Sequence, residues 1–405
     1  MAECGYKCPS CASGVTWHFF RREGIPCFDA MVMNSRTAAL EVPRGDLDLV
    51  LCRACGLVFN AAFDPERVPY DSNYEGTQAA SPTFNRFHAD LADDLIAACM
   101  PNGGHVVEIG CGQGEFLELL AEHGGVRGTG YDPAFRGQPT HPLVRIEPRL
   151  FGGTEALDDV DLVICKMTLE HVIDVAGLLG DLRRGLANRK SKVFFMIPDF
   201  GRIMEQRTFW DISYEHCTYF TPGSLARAFR RAGFAPLKLG QVYGGQYLTI
   251  LAEPGDPDGN ALALEEPVAE TVARVEGFAT LLSASVDDWR RRIMGWDREG
   301  RGLVIWGGGS KTVNFLSLLG DDAKPIAAID INPRKHGTFL PGSGVGILSP
   351  TTLSDLHPGR ILLMNPIYFA EVAADLKTLG VTAPLLDIET EGPARQRIMP
   401  AVHAA

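Results

Sequence analysis

The sequence has no apolar run that approaches the roughly 20 residues of a transmembrane helix, and its first residues lack the apolar core of a signal peptide. Positive charge is also scarce, because 38 lysines and arginines stand against 50 aspartates and glutamates. The net charge of −12 argues against a surface that binds nucleic acid or an anionic membrane, although it does not exclude a local basic pocket. We therefore expect a cytoplasmic protein, either a monomer or a homodimer, with no nucleic-acid or membrane partner.

The cysteines are few for a disulfide framework, and a cytoplasmic location makes disulfides improbable for these ten. Four of them form two C-x-x-C pairs, Cys8 with Cys11 and Cys52 with Cys55. Two such pairs can supply four thiolates at tetrahedral Zn²⁺ distance, with no open position for catalysis. The alternative, a redox C-x-x-C, usually occurs once and beside a βαβ unit. We predict a structural zinc in a module over residues 1–72.

The most informative stretch is VVEIGCGQGEFLEL, residues 106–119. An apolar run ends in three closely spaced glycines, and an apolar-periodic helix follows. Such a turn brings bare backbone N–H groups and a positive helix end to one place, where a nucleotide-like ligand can approach. A second apolar segment ends in an acid that can accept hydrogen bonds from ribose hydroxyls. The residues expected at this site are Glu108, Gly110, Gly112, Gln113, Gly114, Phe116 and Asp132.

A second group of polar and aromatic residues follows KVFFMIPDF, residues 192–200, which is predicted to be a central strand. The following loop carries Glu215 and His216, and such loops at the carboxyl side of a strand often carry function. His216 is a candidate general base whose tautomer and basicity Glu215 can set. The alternative is that His216 only caps the next helix. Tyr70 and Tyr74 lie in an earlier loop that either covers the active site or packs two modules together.

The rest of the chain predicts a helical linker over residues 256–300 and a C-terminal domain over residues 301–392, followed by a tail over residues 393–405. The C-terminal domain again shows a strand, a glycine turn and a helix, and Asp330 ends its next strand. Lys311 at this helix start either helps to hold a phosphate or only accompanies a tight turn. A central domain over residues 73–255 completes the division.

The glycine turn resembles the S-adenosylmethionine (AdoMet) site of class I methyltransferases, because it reads G-C-G-Q-G and is followed by DLVICKMTLEHVIDV, residues 161–175. The three modules in this order resemble the sugar C-methyltransferases of deoxysugar biosynthesis. The resemblance covers nearly the whole chain and is strongest at the two C-x-x-C pairs, at EIGCGQG, at YEHCTYF (214–220), at IWGGGSK (305–311) and at IDINPRKHGTFLPGSGVGILSP (329–350).

This resemblance implies an α/β fold with a class I methyltransferase Rossmann-like sheet, an N-terminal zinc-binding module and a second, smaller Rossmann-like C-terminal domain. It implies an AdoMet-dependent enzyme of natural-product biosynthesis, such as antibiotic biosynthesis, that methylates carbon in a dTDP-linked 4-keto deoxysugar. His216 would form the enolate, Glu215 would orient His216, and Tyr214 or Tyr74 would donate to the enolate oxygen. The resemblance adds as cofactor contacts Pro133, Met167 and Glu170, and as substrate contacts Tyr219, Ser310, Lys311 and Asn314.

Two differences from the family pattern keep other acceptors open. The family usually places Tyr-His-Glu-His before x-x-Tyr-Phe, whereas Ser213 and Tyr214 precede Glu215 here, so the tyrosine has moved by one residue. The last glycine turn usually reads G-A-x-A-K-G, whereas it is GGGSKT here. The second interpretation is thus a methyltransferase of the same fold that methylates carbon, nitrogen or oxygen of another natural-product intermediate. A third is a non-catalytic binding protein that keeps the cofactor fold.

Overall fold

The computed structural model describes residues 2–68, 70, 73–155, 157–186, 190–256, 260–299, 302–320 and 325–391. The predicted tail lies outside these residues. The chain divides into two compact units, each assembled from three segments. The first unit comprises residues 1–23, 46–201 and 215–276, and the second comprises residues 24–45, 202–214 and 277–405. The five-part division predicted from the sequence stays a prediction.

The strands and helices are numbered in chain order. The strands are β1 (Ala2–Glu3), β2 (Thr16–Pro26), β3 (Arg44–Cys52), β4 (Val58–Asn60), β5 (His105–Ile109), β6 (Arg127–Tyr131), β7 (Val144–Glu147), β8 (Leu162–Lys166), β9 (Lys192–Pro198), β10 (Thr218–Tyr219), β11 (Phe234–Val242), β12 (Tyr247–Pro254), β13 (Leu303–Trp306), β14 (Ala327–Ile329), β15 (Ile347–Leu348), β16 (Arg360–Leu363) and β17 (Leu385–Asp387). The helices are α1 (Arg36–Leu40), α2 (Pro82–Cys99), α3 (Glu115–Gly124), α4 (Val175–Gly185), α5 (Phe200–Gln206), α6 (Pro222–Arg231), α7 (Val268–Arg298), α8 (Ser310–Leu319), α9 (Leu353–Leu356), α10 (Phe369–Thr378) and α11 (Ile388–Glu391). None of these helices has the length and apolar character needed to cross a membrane.

The central sheet of the first unit has the strand order β11-β12-β9-β8-β5-β6-β7. The strands from β9 to β7 in this order run parallel, whereas β12 is antiparallel to β9 and to β11. All five residues of β8 are buried, as expected for a parallel strand covered on both faces. The strand order reverses between β5 and β8, so their carboxyl ends form the crevice where ligands bind in such sheets. This arrangement confirms the predicted class I methyltransferase fold.

A smaller sheet has the strand order β1-β2-β3-β4-β10. Strand β3 ends at Cys52, the first residue of the second cysteine pair. The sequence did not reveal that β10 belongs to this sheet. Thr218 and Tyr219 pair antiparallel with Phe59 and Val58 of β4, which follows the second cysteine pair. The segment carrying Glu215 and His216 is therefore joined at its end to the strand that follows the cysteines.

The second unit contains a five-stranded parallel sheet with the order β15-β14-β13-β16-β17. Val304, Ile329 and Leu363 from three of these strands are buried in one apolar cluster. The sheet confirms the predicted second Rossmann-like domain, and Asp330 follows β14 as expected. The helical segment predicted before this domain is present as α7. Strand β15 was not predicted, because only two residues of its segment are in strand conformation.

Candidate active site

The glycine turn after β5 has the geometry that its sequence predicts. Gly110, Gly112 and Gly114 have φ values of 70°, 58° and 89°, in the left-handed region that favours glycine. Gly114 is also the N-cap of α3. A Cβ atom on Gly110 would lie 2.0 Å from Thr168 Oγ1, and one on Gly114 would lie 2.3 Å from Ile146 Cδ1. Gly110 and Gly114 are therefore required both by close packing and by their backbone conformation.

We expect Gly110→Ala to abolish tight binding of S-adenosylhomocysteine and to lower stability. The left-handed conformation costs an alanine about 1–2 kcal/mol, and Thr168 must also be displaced. Gly112→Ala is the matched control, because its φ is similarly positive but its Cβ would have no neighbour closer than 4.0 Å. Calorimetric titration and thermal melting of both variants check this. Equal losses in the two variants would contradict the role assigned to close packing at Gly110.

Asp132 follows β6 and lies against the glycine turn. The Gly112 N–H donates to Asp132 Oδ2 over 2.8 Å, and the Ala134 N–H donates to Oδ1 over 2.8 Å. Gln113 connects the same two loops, since its Nε2 donates to the Ala134 carbonyl over 3.0 Å. Burial raises the pKa of Asp132, although these backbone hydrogen bonds oppose that effect. The predicted ribose acceptor is thus held at the tip of its strand by the turn itself.

Glu108 and Lys166 form an ion pair at the carboxyl ends of β5 and β8. Glu108 is fully buried, and the Lys166 side chain is 8% exposed. Lys166 Nζ also lies 3.9 Å from the centre of the Phe116 ring, at the start of α3. Burial raises the pKa of Glu108, and the neighbouring Lys166 charge opposes that effect. Both charged side chains line the same cavity as the glycine turn.

The loop predicted either to cover the active site or to pack two modules lines this cavity. Arg136, which follows the Asp132 turn, holds it through two contacts. Its Nη1 donates to the Tyr74 carbonyl over 2.9 Å, and its Nη2 pairs with Glu75 Oε2 at 3.0 Å. Thr77 Oγ1 donates to Glu115 Oε1 over 2.9 Å. The loop is therefore attached both to the turn after β6 and to the start of α3.

Two histidines lie beside the cavity. His171 lines it, and its ring centre is 4.9 Å from that of His216 in an edge-to-face arrangement. His171 Nδ1 lies 3.0 Å from the Glu215 carbonyl oxygen and 2.7 Å from Tyr70 Oη. Because a carbonyl only accepts, the contact with Glu215 calls for a proton on Nδ1, which leaves the lone pair of a neutral ring on Nε2. A carboxylate oxygen of Glu170 and one nitrogen of each histidine lie within 4.8 Å of one another.

The cavity has a volume of about 690 Å³. It lies in the first unit, and most of the predicted cofactor residues and one predicted catalytic residue line it. These are Tyr74, Glu108, Gly110, Gly112, Gln113, Phe116, Asp132, Pro133 and Met167. Gly114, Glu170, Glu215 and His216 are not among the lining residues. Glu170 is instead buried close to both histidines, and burial raises its pKa to about 8.

The other predicted aromatic residues are buried. Tyr219 is 3% exposed in β10, with its ring centre 5.4 Å from Phe200 and 6.2 Å from His216. Tyr214 belongs to the second unit, because the division between units falls between Tyr214 and Glu215. Its ring is 1% exposed and packs against Gly45, where a Cβ atom would collide with it. Their predicted roles in the reaction stay predictions.

The predicted substrate residues of the C-terminal domain lie at the start of α8. Lys311 is paired with Asp211, which Arg202 approaches to 3.7 Å. Burial raises the pKa of Asp211, but the charges of Lys311 and Arg202 bring it below its ordinary value. Asn314 Nδ2 donates over 3.2 Å to Asp29 Oδ2. Ser310 is the first residue of the helix.

The four predicted metal ligands converge in the first unit. Their sulfurs lie within 4.8 Å of one another, and the Cys8–Cys55 and Cys11–Cys52 sulfur pairs are each 3.6 Å apart. A tetrahedral zinc with Zn–S bonds of about 2.3 Å holds its sulfurs about 3.8 Å apart, which this arrangement nearly matches. Hydrogen bonds among these thiols lower the pKa of Cys52 and raise the pKa values of Cys8 and Cys55.

The structure brings further residues to the cavity that the site prediction left out. Tyr70 and His171 contact each other at its wall, and Arg136 anchors the covering loop. Lys166 carries the clearest sequence signal, since it is a charge at the end of an otherwise apolar strand, as Glu108 is. His88, on α2, also lines the cavity, and burial lowers its pKa to about 3, which keeps its ring neutral.

Comparisons with known proteins agree with the methyltransferase fold. A family model described as a methyltransferase domain matches residues 84–239, and one described as a C-methyltransferase C-terminal domain matches residues 260–382. The C-methyltransferase NovU of Streptomyces niveus is 26% identical over 351 residues, which cover 80% of this chain and 81% of NovU.

Two solved methyltransferase structures are similar to part of this chain. The 1,6-didemethyltoxoflavin-N1-methyltransferase of Burkholderia thailandensis is 19% identical, with a TM-score of 0.33, over 45% of this chain and 80% of that one. The geranyl diphosphate C-methyltransferase of Streptomyces coelicolor is 15% identical, with a TM-score of 0.33, over 42% and 81%. The two family models and the relative, together with the strand order and the glycine turn, lead to one conclusion. The chain is similar to C-methyltransferases over both of its matched domains, and it is an AdoMet-dependent methyltransferase.

Proposed function

We propose that the protein methylates carbon next to the ketone of a dTDP-linked 4-keto deoxysugar in natural-product biosynthesis. The observation that carries this proposal is the histidine pair beside the cofactor cavity. A proton on carbon next to a carbonyl is only weakly acidic, so its removal needs a positioned base and a donor to the enolate oxygen. The histidine pair supplies the base, and the hydroxyls of Tyr70 and Tyr74 on the cavity wall supply candidate donors.

In this proposal His216 is the base, as the sequence predicts, and its neighbours tune it. His171 packs edge-on against His216 and is itself held by the Glu215 carbonyl and Tyr70. This arrangement gives Glu215 a positioning role through its backbone, in addition to the side-chain role expected from the sequence. Tyr74 is the proposed donor to the enolate oxygen. Bound AdoMet supplies the methyl group, and the residues of the glycine turn align it with the substrate carbon.

The nucleotide of the substrate is assigned to the second unit, where Ser310, Lys311 and Asn314 begin α8. The N-terminus of a helix and a lysine together suit a diphosphate. A second candidate acceptor has one observation in its favour. Lys311 is already paired with Asp211, so a diphosphate would have to displace that carboxylate. An acceptor without a diphosphate, methylated on carbon, nitrogen or oxygen, would leave this pair intact.

We also propose that Cys8, Cys11, Cys52 and Cys55 hold a structural zinc ion. The nearly tetrahedral sulfur spacing supports this role. All four positions around such an ion would be filled by thiolates, so it would have no open site for substrate.

Exchange of substrate hydrogen for deuterium tests the proposed reaction. In D₂O, the protein loaded with S-adenosylhomocysteine is expected to exchange one hydrogen next to the ketone of a dTDP-4-keto deoxysugar. Methyl transfer cannot occur under these conditions, so exchange reports base action alone.

Calorimetric titration of the same complex with thymidine diphosphate is expected to show micromolar binding. If thymidine diphosphate does not bind while S-adenosylhomocysteine does, the second acceptor class is favoured. Binding without exchange would contradict the enolate mechanism.

A further inference from the structure

A second cluster of metal-ligating side chains lies in the first unit, apart from the four cysteines. A carboxylate oxygen of Glu170 and one ring nitrogen each of His171 and His216 lie within 4.8 Å of one another. Atoms bound at about 2.1 Å to one ion lie about 3.4 Å apart in a tetrahedral arrangement and about 4.2 Å apart on opposite sides of the ion. Small side-chain rotations can therefore bring all three atoms onto one ion.

The Glu170 carboxylate has no role in the reaction proposed above. The residue is 2% exposed, and neither carboxylate oxygen accepts a hydrogen bond from another described residue. Burial of such a group costs free energy, because it loses its hydration and gains no equivalent partner. A cation bound between Glu170 and the two histidines would supply that partner.

His171 is already oriented as a metal-bound histidine is. Its Nδ1 lies 3.0 Å from the Glu215 carbonyl oxygen, so Nδ1 carries the proton and Nε2 keeps its lone pair. Metal-binding histidines almost always donate their other ring nitrogen to such an oxygen, which fixes the ring and raises its basicity. His171 also lines the cavity, which gives an ion a path to the cluster.

The two segments that carry the cluster are joined to each other. The turn with Glu170 follows β8, and His216 precedes β10. Thr218 Oγ1 donates to the Leu169 carbonyl over 3.1 Å, and the Cys217 thiol donates to the Glu170 carbonyl over 3.5 Å. The ligands are therefore held close together in advance, which lowers the entropic cost of binding an ion.

We propose that Glu170, His171 and His216 bind one divalent transition-metal ion, such as Zn²⁺ or Co²⁺, and that this ion inhibits methylation. Two imidazoles and one carboxylate suit such ions, whereas Mg²⁺ and Ca²⁺ prefer oxygen ligands. Three protein ligands leave a position for water, unlike the closed cluster of four cysteines. The ion would occupy the lone pair that His216 needs to remove a proton. The inhibition rests on the proposed function of His216, but the metal site does not.

A titration with Co²⁺ tests the site without reference to activity. The purified protein is dialysed against citrate to remove weakly bound ions and is titrated at pH 8, where histidine is neutral. We expect one ion per chain whose visible spectrum lacks the intense thiolate-to-cobalt absorption that a cysteine site gives. Mg²⁺ should not compete with it. If Co²⁺ binds only with thiolate absorption, or not at all, the proposal is wrong.

Glu170→Gln identifies the carboxylate as a ligand, since it keeps the size of the side chain and removes its charge. We expect at least about tenfold weaker Co²⁺ binding, because loss of even an outer partner of a metal site costs about 10–100-fold. His171→Ala should weaken binding at least as much. His141→Ala is the matched control, because His141 lies in an exposed turn, and it should bind Co²⁺ as wild type does. Equal affinities of wild type and both ligand variants would overturn the proposal.

Inhibition is measured separately, on the exchange of substrate hydrogen for deuterium. We expect the exchange rate of wild type to fall in proportion to Co²⁺ occupancy, and Glu170→Gln to need at least about tenfold more Co²⁺ for the same loss. Full occupancy with unchanged exchange would overturn the inhibitory role. A protein that shows no exchange even without Co²⁺ would contradict the proposed reaction, whereas the titration decides the metal site.

Discussion

Replacing His216 with alanine is expected to lower kcat by about two to four orders of magnitude, the usual contribution of a positioned general base. Binding of S-adenosylhomocysteine should change little, because His216 is not among the residues that line the cavity. Deuterium exchange into the keto substrate should fall by the same factor as kcat, since both need removal of the same proton. The measurements are steady-state kinetics, calorimetry and mass spectrometry of the exchanged substrate.

His171→Ala and His141→Ala complete this experiment. His171 contacts Tyr70 and lies beside His216, so its loss should lower kcat to a smaller extent by releasing the base. His141 is the control, because its Nδ1 only accepts from the Leu143 N–H in an exposed turn. Its loss should leave kcat unchanged. If His171→Ala abolishes exchange while His216→Ala retains it, the base is His171 and the assignment of His216 is wrong.

Removing the proposed zinc is expected to have the largest effect on stability. Structural zinc contributes about 10–16 kcal/mol in small zinc domains, which is comparable to the roughly 5–15 kcal/mol that stabilises a typical folded protein. We expect chelation, or Cys55→Ala, to unfold the sheet β1-β2-β3-β4-β10 and to lower the melting temperature of the protein. Zinc content by elemental analysis and thermal melting before and after chelation check this.

Cys4→Ser is the control for that experiment. Cys4 belongs to the same segment and its thiol donates to the Thr16 carbonyl over 3.4 Å, but it is not part of the four-sulfur cluster. Its substitution should leave zinc content at one ion per chain and the melting temperature nearly unchanged. A protein that is isolated without zinc, and whose melting temperature ignores the chelator, would refute the metal site.

The cofactor turn could be predicted because its determinants are local in the sequence. A buried strand, three glycines and an amphipathic helix follow one another within residues 105–124. Each glycine has a positive φ, which is a local property of its own backbone. Asp132 was identified for the same reason, as a single acid at the end of an apolar segment. The cysteine cluster could be predicted from the two C-x-x-C spacings alone, because two such pairs in one module are typical of a zinc site.

The remainder of the site depends on strand pairing, which sequence patterns do not specify. Lys166 reaches Glu108 across neighbouring strands although the two residues are 58 positions apart. The surroundings of His216 depend on the pairing of β10 with β4, which joins two short segments with no shared pattern. Lys311 was predicted to contact substrate from its place at a helix start, but the pattern contained no sign that Asp211 is its partner.

The pairing of β10 with β4 would make the proposed base dependent on the proposed zinc ion. Strand β4 begins at Val58, just beyond Cys55, and β10 begins two residues after His216. Loss of the ion would release the strand that holds this loop. The glycine turn would be affected less, because its contacts lie within the larger sheet. An enzyme made in zinc-poor cells would then still sequester its cofactor while producing no methylated compound. Zinc supply would set the fraction of enzyme that is active.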